Sequence, residues 1–402
     1  MSLEITDLAD VDSQLDHEEK AVREGVRRWV DDTVVPVVGN WFERGAIDDP
    51  RAIFRGLGDL GVLGMHLTGH GCAGMSAVQY GLACLELEAG DSGLRSMVSV
   101  QGSLAMFAIW KWGSEDQKQR WLPGCVSGEH SFAIGISEPG AGSAMTDMVT
   151  SATPDGDHVV LHGQKAYCTG GHLATHVFVF ARWGKTQGPK GIGALVVERG
   201  TPGFEVGHPE RKMGGRGMPE VELFFDRCRV PRANVIMEGD PNSTRSFKRL
   251  MSSFGPERVG NAAMCLGVAQ AAYEAAKAYS LQREQFGRPI CEFQGLQWKI
   301  ADMAVQIHAA RLMIYRAATN LVDGFPDPLE AAMAKLYANE MVQRVTNEAL
   351  QIHGHAGFTR ALPLERMVRD SRGFALGGGT TEILRNTIAS MVYGRAFDQR
   401  HG

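Results

Sequence analysis

No apolar run in this 402-residue chain approaches the roughly 20 residues that span a bilayer, so no membrane contact is expected. The amino terminus, MSLEITDLADVDSQLDHEEK, is acidic where a secretory leader would be basic and then apolar, and a cytoplasmic protein is expected. Basic excess is also missing. The formal net charge is −5 and Lys and Arg are scattered, which leaves nothing to neutralise a phosphate backbone and excludes nucleic acid as the expected partner. The seven cysteines contain no CxxC pair, and an odd number suits neither a disulfide framework nor a zinc ribbon. Buried thiols are expected, and no metal. Internal repeats and low-complexity tracts are absent as well.

What is present is an ordinary globular composition, 44% hydrophobic and 22% charged, in a chain too long for one hydrophobic core. The texture changes twice. Residues 1–130 read as helical, with apolar residues three and four apart in LDHEEKAVREGVRRWVDDTVVP and in the long run from Ser76 to Gly113. Between these, GLGDLGVLGMHLTGHGCAGM is too rich in glycine for a helix interior and reads as irregular chain. Residues 131–242 carry short β-rich runs, SFAIGIS, HVVLHGQKAYCT, HVFVFAR, GIGALVV and VELFFDRCRV, with PDGD as a hairpin turn. Residues 243–402 run as long amphipathic helices joined by short loops, the pattern of an antiparallel bundle. Asp327 followed by Pro328 reads as an N-cap and first helical residue.

Several short motifs carry polar chemistry. IGISEPGAGSAMTDM pairs a strand end with a turn whose backbone N–H groups could hold a flat heterocycle or a phosphate, or simply make a tight turn. In GQKAYCTGG, Tyr167 either covers a ring or fills the β core. In LQREQFGRPICEFQGLQ, Arg283 could grip a pyrophosphate, Phe286 a ring and Gln294 a polyhydroxyl chain, or Arg283 could be a solvated charge at a helix end.

Taken in order, SEPGAGS, YCTGG, MGGRGMPEVELFFDRCRVP, REQFGRPICEFQ, QIHGHAGF and GGGTTEILR resemble the acyl-CoA dehydrogenase superfamily over essentially the whole chain. The resemblance implies an α-helical N-terminal domain, a central β-barrel or sandwich domain and a C-terminal four-helix bundle. It further implies FAD bound between subunits of a homotetramer, an acyl-CoA or acyl-carrier-protein thioester as substrate, and electron-transferring flavoprotein as acceptor. Carried over by position, Ile136, Ser137, Ser143 and Thr169 would lie along the flavin ring. Arg283, Phe286, Gln294, Gln351 and Gly354 would hold the ADP half, largely from a neighbouring subunit, and Thr380 and Glu382 would complete the flavin site. Arg95, Ser96, Ser143, Arg258 and Gly379 would meet the substrate. Ser137 and Tyr167 stand where the family often has threonine and tryptophan.

One position departs from the family pattern. The loop that usually carries a glutamate before its Gly-Thr, the base that takes the α proton, has Gly378 here, and glycine cannot accept a proton. A minority of the family places the glutamate on a bundle helix before an arginine, and SSFGPERVGNAAM matches this with Glu257 and Arg258. Gly255 and Pro256 are expected to kink that helix and aim Glu257 into the cleft; otherwise Glu257 is a first-turn carboxylate stabilised by the helix dipole. The segment from Gly71 to Leu104 is similar to glutaryl-CoA dehydrogenase, in which an arginine at the position of Arg95 meets a distal carboxylate, with Glu88 and Ser96 in support. The chain is also similar to 3-sulfinopropionyl-CoA desulfinase, which lacks the loop glutamate and has glutamine where this chain has Glu257. The expectation is α,β-dehydrogenation of a short or branched acyl thioester, neutral or anionic, with Glu257 as base. The alternatives are non-oxidative elimination on an anionic acyl-CoA, or a catalytically silent subunit paired with an active one.

Overall fold

The computed structural model describes residues 10–322 and 325–397. Helix α1 (His17–Thr33) opens with a capping box in which Asp16 and Glu19 satisfy each other's backbone N–H groups. Helix α2 (Ala77–Gly90) opens the same way through Ser76 and Gln79, and its near-continuous apolar run is explained by burial on almost every side. After Asp91, whose carboxylate accepts from the Leu94 N–H, comes α3 (Ser92–Ser99), which passes directly into a π-helical stretch, Val100–Met106. The glycine-rich segment is irregular only in part. Asp49 as cap and Pro50 in the first turn start a helix, Pro50–Asp59, that takes in Gly56 and Gly58, and a two-residue hairpin follows at Thr68–Gly69 and Cys72–Ala73.

The middle of the chain forms one eight-stranded sheet. Its path runs Val235–Met237, Ile192–Glu198, His176–Trp183, Ser151–Asp155, His158–Thr169, Glu220–Pro231 and Phe204–Val206, with Phe132–Gly135 lying parallel to His176–Trp183. PDGD makes a hairpin turn as expected, and it joins His158–Thr169 to Ser151–Asp155, a strand not expected from the sequence. Glu220–Pro231 alternates, with Val221, Leu223 and Phe225 buried, whereas every residue of His176–Trp183 is buried because that strand is covered on both faces. Tyr167 does not fill the core. It is 67% exposed and stands at φ +58° in a bulge.

A buried ion pair pins this domain to the loop after Phe132–Gly135. Lys165 Nζ donates to Glu138 Oε1 at 2.7 Å and to the Ile136 carbonyl at 3.0 Å, while Glu138 accepts the N–H groups of Val149 and Thr150. Burial pushes the Lys165 amine down from its ordinary value, so the contact with Glu138 is what keeps a charge there.

The last part is helical. After a short helix, Arg245–Ser252, come α4 (Phe254–Gln282), α5 (Gln294–Thr319), α6 (Pro328–His353), α7 (Leu364–Phe374) and α8 (Thr381–Val392). The break expected at Gly255 and Pro256 falls at Ser253 instead. Pro256 sits in the first turn of α4, where its missing N–H costs no intrahelical bond. Asp327 caps α6 as expected, accepting from Leu329 and Glu330. Helices α2 and α4 touch backbone to backbone, since a Cβ at Gly267 would fall 2.3 Å from the Leu85 carbonyl oxygen. Five cysteines are buried and Cys72 and Cys291 half-buried, all as free thiols. No described helix is long and apolar enough to cross a membrane.

Removing one partner of a buried pair leaves the other charge stranded. Lys165→Met should therefore cost about 3–5 kcal/mol in denaturant-induced unfolding, and adding Glu138→Gln should recover part of that loss.

Candidate active site

The N-terminal helices meet the bundle at a buried charge. Arg95, on α3, has 0% exposure, and none of its three guanidinium nitrogens has a hydrogen-bond partner among the described residues. Its head fits because residue 260 of α4 is glycine: a Cβ there would lie 2.8 Å from Nη2. Glu257, one turn earlier on α4, puts Oε1 3.9 Å from Arg95 Nη1, and its Oε2 accepts a 2.5 Å hydrogen bond from Ser99 Oγ. Arg95 and Ser99 are four residues apart on α3 and so share a face. One short helix thus holds both the charge and the group that orients the carboxylate.

Around this pair the polar groups are few. Tyr80 shares a 2.5 Å hydrogen bond with Ser103, packs beside the same glycine and lies with its ring centroid 4.6 Å from that of His66, tilted by 46°; burial pushes the pKa of the His66 ring down to about 4. Glu88 on α2 is 2% exposed, and neither of its oxygens has a hydrogen-bond partner among the described residues. Burial pushes its carboxyl up to about 8, although Arg95 pulls the other way. Ser96 turns away from the arginine, its hydroxyl donating to the Ser92 carbonyl at 2.7 Å. Arg258 has a buried Nε without a partner, and burial lowers its pKa.

The glycine loop before α8 closes another side of the cleft. Lys335 of α6, fully buried, donates to the carbonyls of Gly377 and Gly379 at 2.9 Å each. Thr380 then caps α8 by accepting from the Ile383 N–H, and Glu382 is exposed in its first turn.

On the sheet side, the Ile136 carbonyl is held by Lys165 and the Ser137 carbonyl by the Ala166 N–H, while Ser143 is exposed. Thr169 lines a cavity with Phe132, Gly170, Met97 and Val100. The remaining predicted residues gather elsewhere. Arg283, Phe286 and Gln294 lie around the turn between α4 and α5, all exposed, with Phe286 94% so and at φ +52°. Tyr279 stacks on His353 at 4.3 Å, which brings exposed Gln351 and Gly354 to the same end of the bundle. Glu257 and Arg283 are at opposite ends of α4, about 39 Å apart at 1.5 Å per residue.

Models of the acyl-CoA dehydrogenase N-terminal, middle and C-terminal domains match residues 16–129, 133–228 and 245–393. The chain belongs to the acyl-CoA dehydrogenase family. A 3-sulfinopropanoyl-CoA desulfinase from Advenella mimigardefordensis is 42% identical over 84% of each chain. A short-chain-specific acyl-CoA dehydrogenase from Clostridium acetobutylicum is 35% identical over 95% of this chain and 100% of its own length. The structure of a glutaryl-CoA dehydrogenase from Mycobacterium smegmatis in complex with FADH2 superposes with a TM-score of 0.91 at 34% identity, over 97% of this chain and 98% of that one.

The structure brings Arg95 and Glu257, read in sequence as an anion seat and a base, within 3.9 Å of each other. Ser99, Tyr80, Gly260 and Lys335 were not anticipated. Only Ser99 left a signal, its four-residue spacing from Arg95; Lys335 reads in sequence as an ordinary solvated helix charge.

Glu88 gives a pH test of this description. In the unfolded chain its carboxyl ionises near 4.5, and in the folded chain it keeps its proton up to about 8. Between these values the folded state holds a proton that the unfolded state has released. Stability must then fall as pH rises, by about 1.4 kcal/mol per unit from this group, and level off above 8. Glu88→Gln should match the wild type near pH 4.5 and exceed it at pH 8 in urea unfolding measured across that range.

Proposed function

We propose that the protein dehydrogenates a short acyl thioester bearing a distal anion across its α,β bond, with Glu257 accepting the α proton. The observation that carries this reading is the Arg95 guanidinium, fully buried and without a hydrogen-bonded acceptor among the described residues. A desolvated cation in an acyl pocket is costly unless an anion meets it, and a distal carboxylate or sulfinate would supply a bidentate, charge-assisted partner.

FAD is the cofactor, and when bound it supplies the acceptor for the hydride from the β carbon. The residues fit it. Thr169 lines a cavity, the Ser137 to Ser143 turn offers hydroxyls and N–H groups, and Tyr167 and Phe286 are exposed aromatic residues held at positive φ, a strain that aromatic residues rarely bear without a role. Arg283, Phe286, Gln294, Gln351 and Gly354 stand too far from Glu257 to serve the same cofactor in one chain, and this favours their acting on a neighbour's FAD within a homotetramer. Electron-transferring flavoprotein is the proposed acceptor, and coenzyme A the proposed thiol carrier.

Within the site, Ser99 orients the Glu257 carboxylate, and Arg95 sets the register of the chain so that its α carbon faces that carboxylate. A second reading is favoured by the desulfinase relative: cleavage of the C–S bond of 3-sulfinopropanoyl-CoA, in which a water supplies the third oxygen of the released sulfite and a proton replaces sulfur on the carbon, without net oxidation and using the same anion seat. Anaerobic stopped-flow mixing with glutaryl-CoA, butyryl-CoA and 3-sulfinopropanoyl-CoA separates the readings, since flavin bleaching reports dehydrogenation and sulfite release without bleaching reports elimination.

Two variants test the roles. Glu257→Gln should slow flavin reduction by about 10² or more while the ester still binds; full activity would return Glu257 to a first-turn helix charge. Arg95→Met should penalise the anionic ester by roughly 2–5 kcal/mol and leave the neutral one of similar length nearly unchanged. Equal losses on both would remove the distal anion from the proposal.

A further inference from the structure

A buried amine that the proposed chemistry does not use lies beside the cleft. Lys335 has 0% exposure, sits among the apolar residues of α6, and among the described residues sends its ammonium to two hydrogen-bond acceptors, the carbonyls of Gly377 and Gly379. Its stem supports the loop as well. A Cβ at Gly378 would lie 3.7 Å from Lys335 Cε and 4.0 Å from Nζ, so the loop rests on the side chain in van der Waals contact.

The groups facing the amine from α4 are Glu257, Arg258 and the Cys265 thiol, the last of which donates to Asn339 Oδ1 at 3.1 Å. Burial pushes the amine down to about 8, a cost that Glu257 and Cys265 reduce and Arg258 adds to. At this place in α6 an apolar side chain of the same length would pack without that cost. What such a side chain could not do is tie two carbonyls of this loop to α6; the loop's other hydrogen bonds, from the Gly377 N–H to the Gly373 carbonyl and from the Thr381 N–H to the Ala375 carbonyl, stay within residues 373–381.

We propose that Lys335 is a positioning residue: it latches the loop 377–379 against α6, and so fixes the wall against which the acyl thioester lies. The second half of this statement rests on the proposed function; the latch itself does not.

Hydrogen exchange followed by mass spectrometry on the FAD-loaded protein, without substrate, tests the latch directly. In Lys335→Met the amides of residues 377–381 should exchange about tenfold or more faster, as expected when two charge-assisted bonds are lost. Peptides from α4 and α6 should keep their protection, and the melting temperature should stay level or rise. Lys335→Gln, which keeps a neutral donor, should fall between wild type and Met. Unchanged loop exchange in Lys335→Met would overturn the proposal. So would lost protection centred on α4 and α6 with a lower melting temperature, or insolubility of both variants, because each would assign the lysine to the bundle core.

With any ester that bleaches the wild-type flavin, Lys335→Met should raise KM by about tenfold with little change in kcat, the signature of lost positioning in binding. A fall in kcat at unchanged KM would overturn the positioning role. Absence of bleaching with every ester would sink dehydrogenation and leave the exchange result standing.

Discussion

A guanidinium cannot shed its proton to escape burial, so the rest of the structure around Arg95 has to accommodate a fixed charge. The accommodation is visible in three places. Glycine at position 260 opens the volume that the head occupies. Glu257 is turned toward the charge by Ser99 yet stops at 3.9 Å, outside hydrogen-bond range. Glu88, which could have paired with it, is buried so deeply that its proton is retained to about pH 8. The cation is left with attraction but without a donor–acceptor bond among the described residues, and this is what supports the proposal of an anion from outside.

That arrangement depends on how closely two helices approach. Gly260 and Gly267 are one heptad apart on α4; the first admits the arginine head and the second lets α4 meet the Leu85 carbonyl of α2. Larger residues would separate the helical layer from the bundle and with it Ser99 from Glu257. The same helix also measures the molecule. With the proposed base at its start and the exposed Arg283 turn at its end, α4 holds two functional groups that one small cofactor cannot bridge within a chain. The length of a single helix thus favours a site completed by another copy.

Much of the fold was legible because local chemistry and tertiary position agreed. The strand at Glu220–Pro231 announces itself by alternation, PDGD by turn residues, and α6 by Asp327 and Pro328. Where they disagreed, the reading slipped. Gly255 and Pro256 look like a break, but a proline in a first turn breaks nothing, and the chain bends at Ser253, which carries no such mark. Arg95 and Glu257 could be paired only through family resemblance, since 162 positions separate them in sequence and no periodicity links α3 to α4. Lys335 was invisible for a different reason. Its buried environment is made by a loop folding back from residues 377–379, and one-dimensional pattern gives no hint of that return.

The distance between the two central charges also limits what the pocket can accept. A reacting α carbon must come within about 3 Å of a Glu257 oxygen for its proton to transfer, and a distal anion must approach an Arg95 nitrogen to a similar distance. In the proposed reading, contacts made through the nearest oxygen and nitrogen, which are 3.9 Å apart, place the carbon and the anion on the order of 10 Å or less from each other. Long dicarboxylic chains, whose anion would lie well beyond that reach when extended, gain nothing from Arg95 unless they fold back on themselves. Short ones satisfy both ends at once. The negative Glu257 works in the same direction, because it repels an anion placed directly at the base and so drives the charged end toward the guanidinium. In the proposed function, one close pair of opposite charges would thus set the direction in which the substrate lies and favour short chains over long ones.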